Sequence, residues 1–295
     1  MKQLLISFSG GATSAYMTKM LLDNLDRTEY EIKVVFANTG KEREETLQFI
    51  RECDTRWGFN TVWVECITNP ERGKGVSARV VDFETASRHG EPFEASIKKH
   101  GISNVNQPLC TRELKTYTIN AYMRQIGWKH YHRAIGIRLD EIDRVNPNYK
   151  KERIIYPCIS MFPSRREDIN AFWAAQDFSL NLKSYQGNCD CCYKKSLRKL
   201  LTIAHEEPER FQWRADMEAK YENYLPDSRK NNPKVKFPIR FFRGNLSANE
   251  ILQMSKSFTD FASDDSKKTN TYKQLSLFGN ELDTPNGCSE SCEAF

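Results

Sequence analysis

No stretch of this 295-residue chain approaches the ~20 continuous apolar residues that a membrane span requires. The first residues reach Ser7, Ser9 and Gly10 without the apolar core of a secretory leader, so a cytoplasmic protein with no membrane partner is expected. Histidine is scarce: the five residues His89, His100, His130, His132 and His205 form no H-x-E or H-x-x-x-H spacing, which argues against a histidine-based metal centre. There is no internal repeat, no collagen-like glycine period and no sustained heptad, so solenoid, fibrous and coiled-coil architectures are excluded. Charge of one sign is also lacking. The 44 Lys and Arg against 39 Asp and Glu leave +5, which permits an anionic partner without demanding one.

What the chain does have is enough apolar residue, 39%, for a sizeable core, and nine cysteines. An odd, clustered set of cysteines in a reducing compartment points to a metal, a cluster or a redox thiol rather than to a disulfide frame. The first 66 residues alternate strand and helix patterns. Leu4–Phe8, Ile32–Ala37 and Thr61–Cys66 read as strands without polar alternation, and Ser14–Leu25 and Glu42–Trp57 read as helices. This order implies right-handed βαβ units in a doubly wound, mostly parallel α/β sheet. Residues 67–107 show no period and read as loops and short helices. Thr111–Ile126 is predicted as a helix, His130–Ile137 as a fourth strand and Arg153–Tyr156 as a fifth. The expected organisation is a nucleotide-binding α/β domain over 1–160, a helical and basic region over 161–258, and a polar tail over 259–295.

Between the first strand and helix lies Ser7-Phe8-Ser9-Gly10-Gly11-Ala12-Thr13-Ser14. Paired glycines let a backbone pass close to a ligand, the N–H groups at a helix start favour an anion, and Ser9, Thr13 and Ser14 add hydroxyls. The string lacks the lysine of a P-loop. A tight Gly-Gly turn with a serine cap would read the same way.

The loop resembles that of the adenine-nucleotide alpha-hydrolase superfamily, whose members cleave or displace at the α-phosphate of ATP. It is closer still to the phosphoadenosine phosphosulfate (PAPS) reductase family and its phage-borne relatives. Phe36-Ala37-Asn38-Thr39-Gly40-Lys41-Glu42, Leu109-Cys110-Thr111-Arg112-Glu113-Leu114-Lys115, Gly136-Ile137-Arg138-Leu139-Asp140-Glu141 and Gly187-Asn188-Cys189-Asp190-Cys191-Cys192 support it in order. The resemblance implies an adenine nucleotide, ATP or PAPS, held by Ser7, Ser9, Gly10, Gly11, Thr13, Ser14, Asn38, Thr39, Gly40 and Arg112. It implies Arg138, Lys115 and Cys110 as catalytic groups, and Mg²⁺ at Asp140 and Glu141 unless these simply pair with Arg138 or Arg144. Two departures stand out. The acidic residue of the family loop is Thr13 here, and the Glu-Cys-Gly-containing tail string of true PAPS reductases is absent.

Cys189 and Cys192 form C-x-x-C, and Cys288 and Cys292 form C-x-x-x-C. The four could hold one Zn²⁺ or one [4Fe-4S] cluster, with Cys110 and Cys191, or Cys158, as alternatives to the tail pair. The tail pair could instead be a redox dithiol. Arg229, Lys230, Lys234, Lys236, Arg240 and Arg243, interleaved with Phe237, Phe241 and Phe242, suggest a platform for a nucleic-acid acceptor, or else a solvated face over core phenylalanines. The expected activity is ATP cleavage with sulfur transfer to a nucleic acid or small acceptor, from a sulfur-donor protein. Its rival is reduction of PAPS with a thiol reductant. A non-catalytic nucleotide- or nucleic-acid-binding module is the third reading.

Overall fold

A computed structural model describes residues 1–71, 73–227 and 236–269. Six strands form one sheet in the order β4-β3-β2-β1-β5-β6. They are β1 (Lys2–Ser7), β2 (Tyr30–Asn38), β3 (Val62–Thr68), β4 (Val76–Val81), β5 (His132–Ala134) and β6 (Ile154–Ile155). All neighbours run parallel except β3 and β4, which pair antiparallel from Trp63↔Val81 to Thr68↔Val76. The chain is therefore the expected doubly wound α/β fold with one added edge strand. β4 falls where the sequence shows no period, because only Ala78 among its residues is buried and the ladder alone defines it.

The alternating direction of side chains along β1 explains the layers. Leu4 and Ile6 enter one core with residues of α1 (Ala12–Asn24), α2 (Glu44–Trp57) and α6 (Arg166–Ala174). Leu5 enters the opposite core with Val35, Val64, and Ile119 and Met123 of α4 (Thr118–Gln125). Both faces are covered, which is why the strands read as unbroken apolar runs.

The predicted helix at Thr111–Ile126 is two elements. A π-helical segment, Cys110–Tyr117, runs into α4. Two short helices complete the first part, α3 (Glu91–His100) and α5 (Pro157–Ser160). A further apolar cluster then forms around α7 (Leu197–Glu206), α8 (Gln212–Tyr221) and α9 (Ala248–Ser255), into which α3 also packs. Two phenylalanines of the basic run belong to it, Phe241 at 0% and Phe242 at 3% exposed, whereas Phe237 is 47% exposed. Arg240 pairs with Glu222 and Glu250. Two of the three aromatics of that run are core residues and Phe237 alone of them is exposed; Arg229, Lys230 and Lys234 lie outside the described residues. Among the described residues no helix is long and apolar enough to cross a membrane.

Candidate functional site

Strand order reverses between β1, which continues towards β2, and β5, which lies on its other side. Ligands of open α/β sheets settle at such a switch point, beyond the strand carboxyl ends. The Ser9–Ser14 loop leaves β1 there. Gly10 sits at φ +78°, and a Cβ on it would lie 2.7 Å from Thr46 Cγ2 and 2.8 Å from Ile50 Cδ1, so only glycine lets the loop lie against α2. Gly11 is the N-cap of α1 and offers no side chain to the first-turn N–H groups, and no acidic residue occupies that turn. The positive end of the helix is thus uncapped, the condition under which an anion binds. Ser9 and Ser14 hydroxyls lie 2.9 Å apart, and Ser14 Oγ donates to the Gly11 carbonyl at 3.0 Å, which fixes the loop.

Arg138 reaches the same loop from beyond β5. Its guanidinium, 1% exposed, donates from Nε and Nη2 to both oxygens of Asp140 at 3.1 Å and from Nη1 to Thr13 Oγ1 at 2.9 Å. Glu141 lies 3.6 Å from Nη1 and also pairs with Arg144. Burial pushes the Asp140 carboxyl up, but the hydrogen bonds and charge of Arg138 outweigh it and hold the group below its ordinary range. Asp140 and Glu141 are therefore partners of arginines. With guanidinium groups on both, this pair does not fit a protein-held Mg²⁺.

The second loop follows β2. Gly40 has φ +80° and its N–H donates to Asn38 Oδ1 at 3.1 Å, while Asn38 Nδ2 is held by Glu65 at 2.6 Å. Thr39 donates its N–H and hydroxyl to Glu42 at 2.8 Å, and Lys115 Nζ of the π-helical segment lies 3.6 Å from the same carboxylate. Ser7, Ser9, Thr13, Ser14, Asn38, Thr39, Gly40, Lys115 and Arg138 are all buried, whereas Arg112 is exposed and donates to its neighbour Glu113.

The Asn188–Asp190 part of the Gly187–Cys192 string ties these loops together, with Arg43, Glu207 and Arg210, which the sequence did not single out. Asn188 Nδ2 donates to the Ser9 carbonyl at 3.1 Å, and the backbone of Glu42 bridges to Cys189. Arg43, fully buried, forms two hydrogen bonds to Glu207 at 3.0 and 2.6 Å. Asp190 lies 3.6 Å from Lys41, 3.8 Å from Arg43 and 3.0 Å from Arg210. Burial raises the Glu207 carboxyl, yet Arg43 and Arg210 together bring it down to about 2. Arg43 had one visible signal: a cation at a helix start opposes the helix dipole and needs a carboxylate from elsewhere.

The described cysteines, Cys53, Cys66, Cys110, Cys158, Cys189, Cys191 and Cys192, are not joined to one another in disulfides. Among the described residues no group of three or more His, Cys, Asp or Glu side chains is arranged to hold a metal. Cys158 lies in the core against β1 and α1, and Cys191 in the separate helical core, where burial pushes its thiol up to about 12. Cys110 Sγ lies 3.0 Å from the Tyr193 hydroxyl. The alternative quartet of Cys110, Cys189 and Cys192 with Cys158 or Cys191 is therefore not assembled, and the residues do not fit Zn²⁺ or a [4Fe-4S] cluster. Cys288 and Cys292 lie outside the described residues.

The family model of the phosphoadenosine phosphosulfate reductase domain matches residues 3–144, the segment that carries the Ser9–Ser14 loop, Lys115 and Arg138. Over 294 residues the chain is also 32% identical to the uncharacterized nin region protein ORF290 of Escherichia phage lambda, covering 98% of this chain and 94% of that protein. The chain belongs to the PAPS reductase domain family. No solved structure matches it. Its departure from the family loop has a structural counterpart: where a PAPS reductase-type loop carries an acid, Thr13 accepts from Arg138, and Asp140 supplies the carboxylate. The supporting residues Asn188, Asp190 and Glu207 lie beyond the segment that the family model matches.

Proposed function

We propose that this chain binds an adenine nucleotide across the β1–β5 crevice and cleaves ATP between its α- and β-phosphates. An acceptor oxygen would attack the α-phosphorus and form acceptor–O–AMP as pyrophosphate leaves, and a sulfur nucleophile would then displace AMP. The observation that carries the reading is the uncapped start of α1 at the carboxyl end of β1, with the Arg138 guanidinium 2.9 Å from Thr13. N–H groups at a helix start and a buried guanidinium stabilise charge that develops on phosphate oxygens. Asn38–Gly40, held rigid by Glu65 and Glu42, would face the nucleoside, and Lys115 would lie on the phosphate side.

A second reading, reduction of PAPS to sulfite by a thiolate, is favoured by Cys110 and Cys189, the two described cysteines that are not fully buried. Chromatography of products separates the two. With water taking the place of the acceptor oxygen, the full chain incubated with ATP–Mg²⁺ should yield AMP and pyrophosphate. Adenosine 3′,5′-bisphosphate and sulfite from PAPS plus a dithiol would replace the first reading by the second. Failure to bind either nucleotide would overturn both.

A further inference from the structure

Two short stretches meet at the amino ends of β5 and β6. Residues 129–132 lead into β5, and the turn at 148–153 leads into β6. The Arg133 N–H donates to the Arg153 carbonyl at 2.9 Å. Arg153 Nη1 donates to His130 Nδ1 at 2.9 Å, which leaves the imidazole proton on Nε2 as a further donor. The turn is tight: the Ile154 N–H returns to the Tyr149 carbonyl at 2.8 Å and Arg153 stands at φ +55°, so Lys150, Lys151 and Arg153 are held close together. Lys129, His130, His132, Lys150, Lys151 and Arg153 are all exposed. None of the four Lys and Arg in this group has an ion pair among the described residues, whereas Arg43, Arg79, Arg88, Arg138 and Arg210 all sit on carboxylates. Residues 129–133 and 148–153 hold five Lys and Arg against one acid, Glu152, which accepts from Asn146. A local excess of four in a chain whose whole net charge is +5 makes this face a concentrated positive field. Its exposed residues are Lys, His, Arg, Asn and Glu. They include no Phe, Tyr or Trp on which an unpaired base would stack, and no apolar side chain to enter a bilayer. Cations without either feature match the phosphates of a duplex.

We propose that this face docks on the phosphate backbone of a nucleic-acid duplex without reading its bases. β5 and β6 run parallel to β1, so the face lies at the opposite end of the sheet from the phosphate loop and does not rest on the proposed nucleotide site. The probe is a short, fluorescently labelled DNA duplex of mixed sequence, titrated with the full chain by anisotropy over a series of salt concentrations. Each phosphate neutralised contributes about 0.9 to the salt dependence, so four cations predict a slope of log K against log salt of about −3.6. The double variant Lys150→Ala with Lys151→Ala should bind about tenfold or more weakly at low salt and bring the slope to about −1.8. Lys256→Ala with Lys267→Ala removes the same charge at exposed positions outside this face and should leave binding within about twofold. No binding at low salt, or equal losses in the two double variants, would overturn the proposal. ATP should not compete. Competition by ATP would move the duplex to the phosphate loop and overturn this face as its dock. Capture by phosphatidylserine vesicles with no binding of the duplex would make the partner a membrane surface and equally overturn it. If ATP fails to bind while the duplex still does, the nucleotide reading falls and the docking face stands.

Discussion

Replacing Glu207 by Gln removes one charge and keeps the shape, so its cost reports the ion pairs with Arg43 and Arg210. In the native protein the two side chains share bonds of 3.0 and 2.6 Å, with Arg43 fully buried and Glu207 about one-fifth exposed. The carboxyl falls from an ordinary 4.5 to about 2 on folding. That displacement corresponds to about 3 kcal/mol of stability at neutral pH. A depressed carboxyl stabilises above its unfolded pKa, and the contribution fades as the pH falls through the folded value. For Glu207 the window runs from about 4.5 down to about 2. At pH 3 roughly 1.4 kcal/mol should remain. Urea unfolding of both proteins at pH 7 and pH 3 reads the difference directly. The expected penalty of Glu207→Gln is about 3 kcal/mol at pH 7, shrinking by about 2 kcal/mol at pH 3. A penalty under about 1 kcal/mol at pH 7, or one that does not change with pH, would refute the assignment of Arg43 and Glu207 as the main clasp between the two halves of the site.

Gly10→Ala places a Cβ 2.7 Å from Thr46 Cγ2 at φ +78° and should cost about 2–4 kcal/mol in urea unfolding, with loss of nucleotide binding. Arg138→Met strands Asp140, while Glu141 keeps its pair with Arg144. Because Asp140 keeps contact with water, the cost should sit at the low end for a broken buried pair, about 3 kcal/mol. In the same variant the Asp140 carboxyl should titrate higher than in the native protein, since burial then meets only the effects of its own backbone N–H and of Arg166, and carbon-detected NMR would follow it. Brief alkylation with iodoacetamide at pH 8, read by mass spectrometry, should label Cys110 and Cys189 while Cys53, Cys66 and Cys191, whose thiols burial pushes up, stay protected. Alkylation of Cys191 as fast as Cys189 would contradict its placement in the core.

The parts of the fold legible in the sequence are those set by local pattern. The βαβαβ start was readable because Leu4, Leu5 and Ile6 bury on alternate faces of a sheet covered on both sides, which leaves an unbroken apolar string. The tight turn from β1 into α1 was readable because two glycines between a strand and a helix mark a close backbone approach. β4 was not, because an edge strand with a single buried residue carries no period. The π-helical turn has no composition of its own to mark it. The clasp of Arg43 with Glu207 spans 164 positions, and nothing local in either stretch names the other. The quartet offered in place of the tail pair failed for the same reason. Adjacency in the Cys189–Cys192 string says nothing about direction, and the backbone at Cys191, with φ +42°, turns that thiol into a different core from Cys158.

Asn188 and Trp173 also bear on inheritance. The phosphate loop has its Ser9 carbonyl held by residue 188 and its Ala12 carbonyl held by Trp173 Nε1 at 3.0 Å. The family signature ends at residue 144. A crossover between two related genes falling anywhere from 145 to 172 would join one parent's loop to the other's support. Such chimeras should survive only where both parents agree on the asparagine and the indole, so the two halves are expected to descend as one linked block.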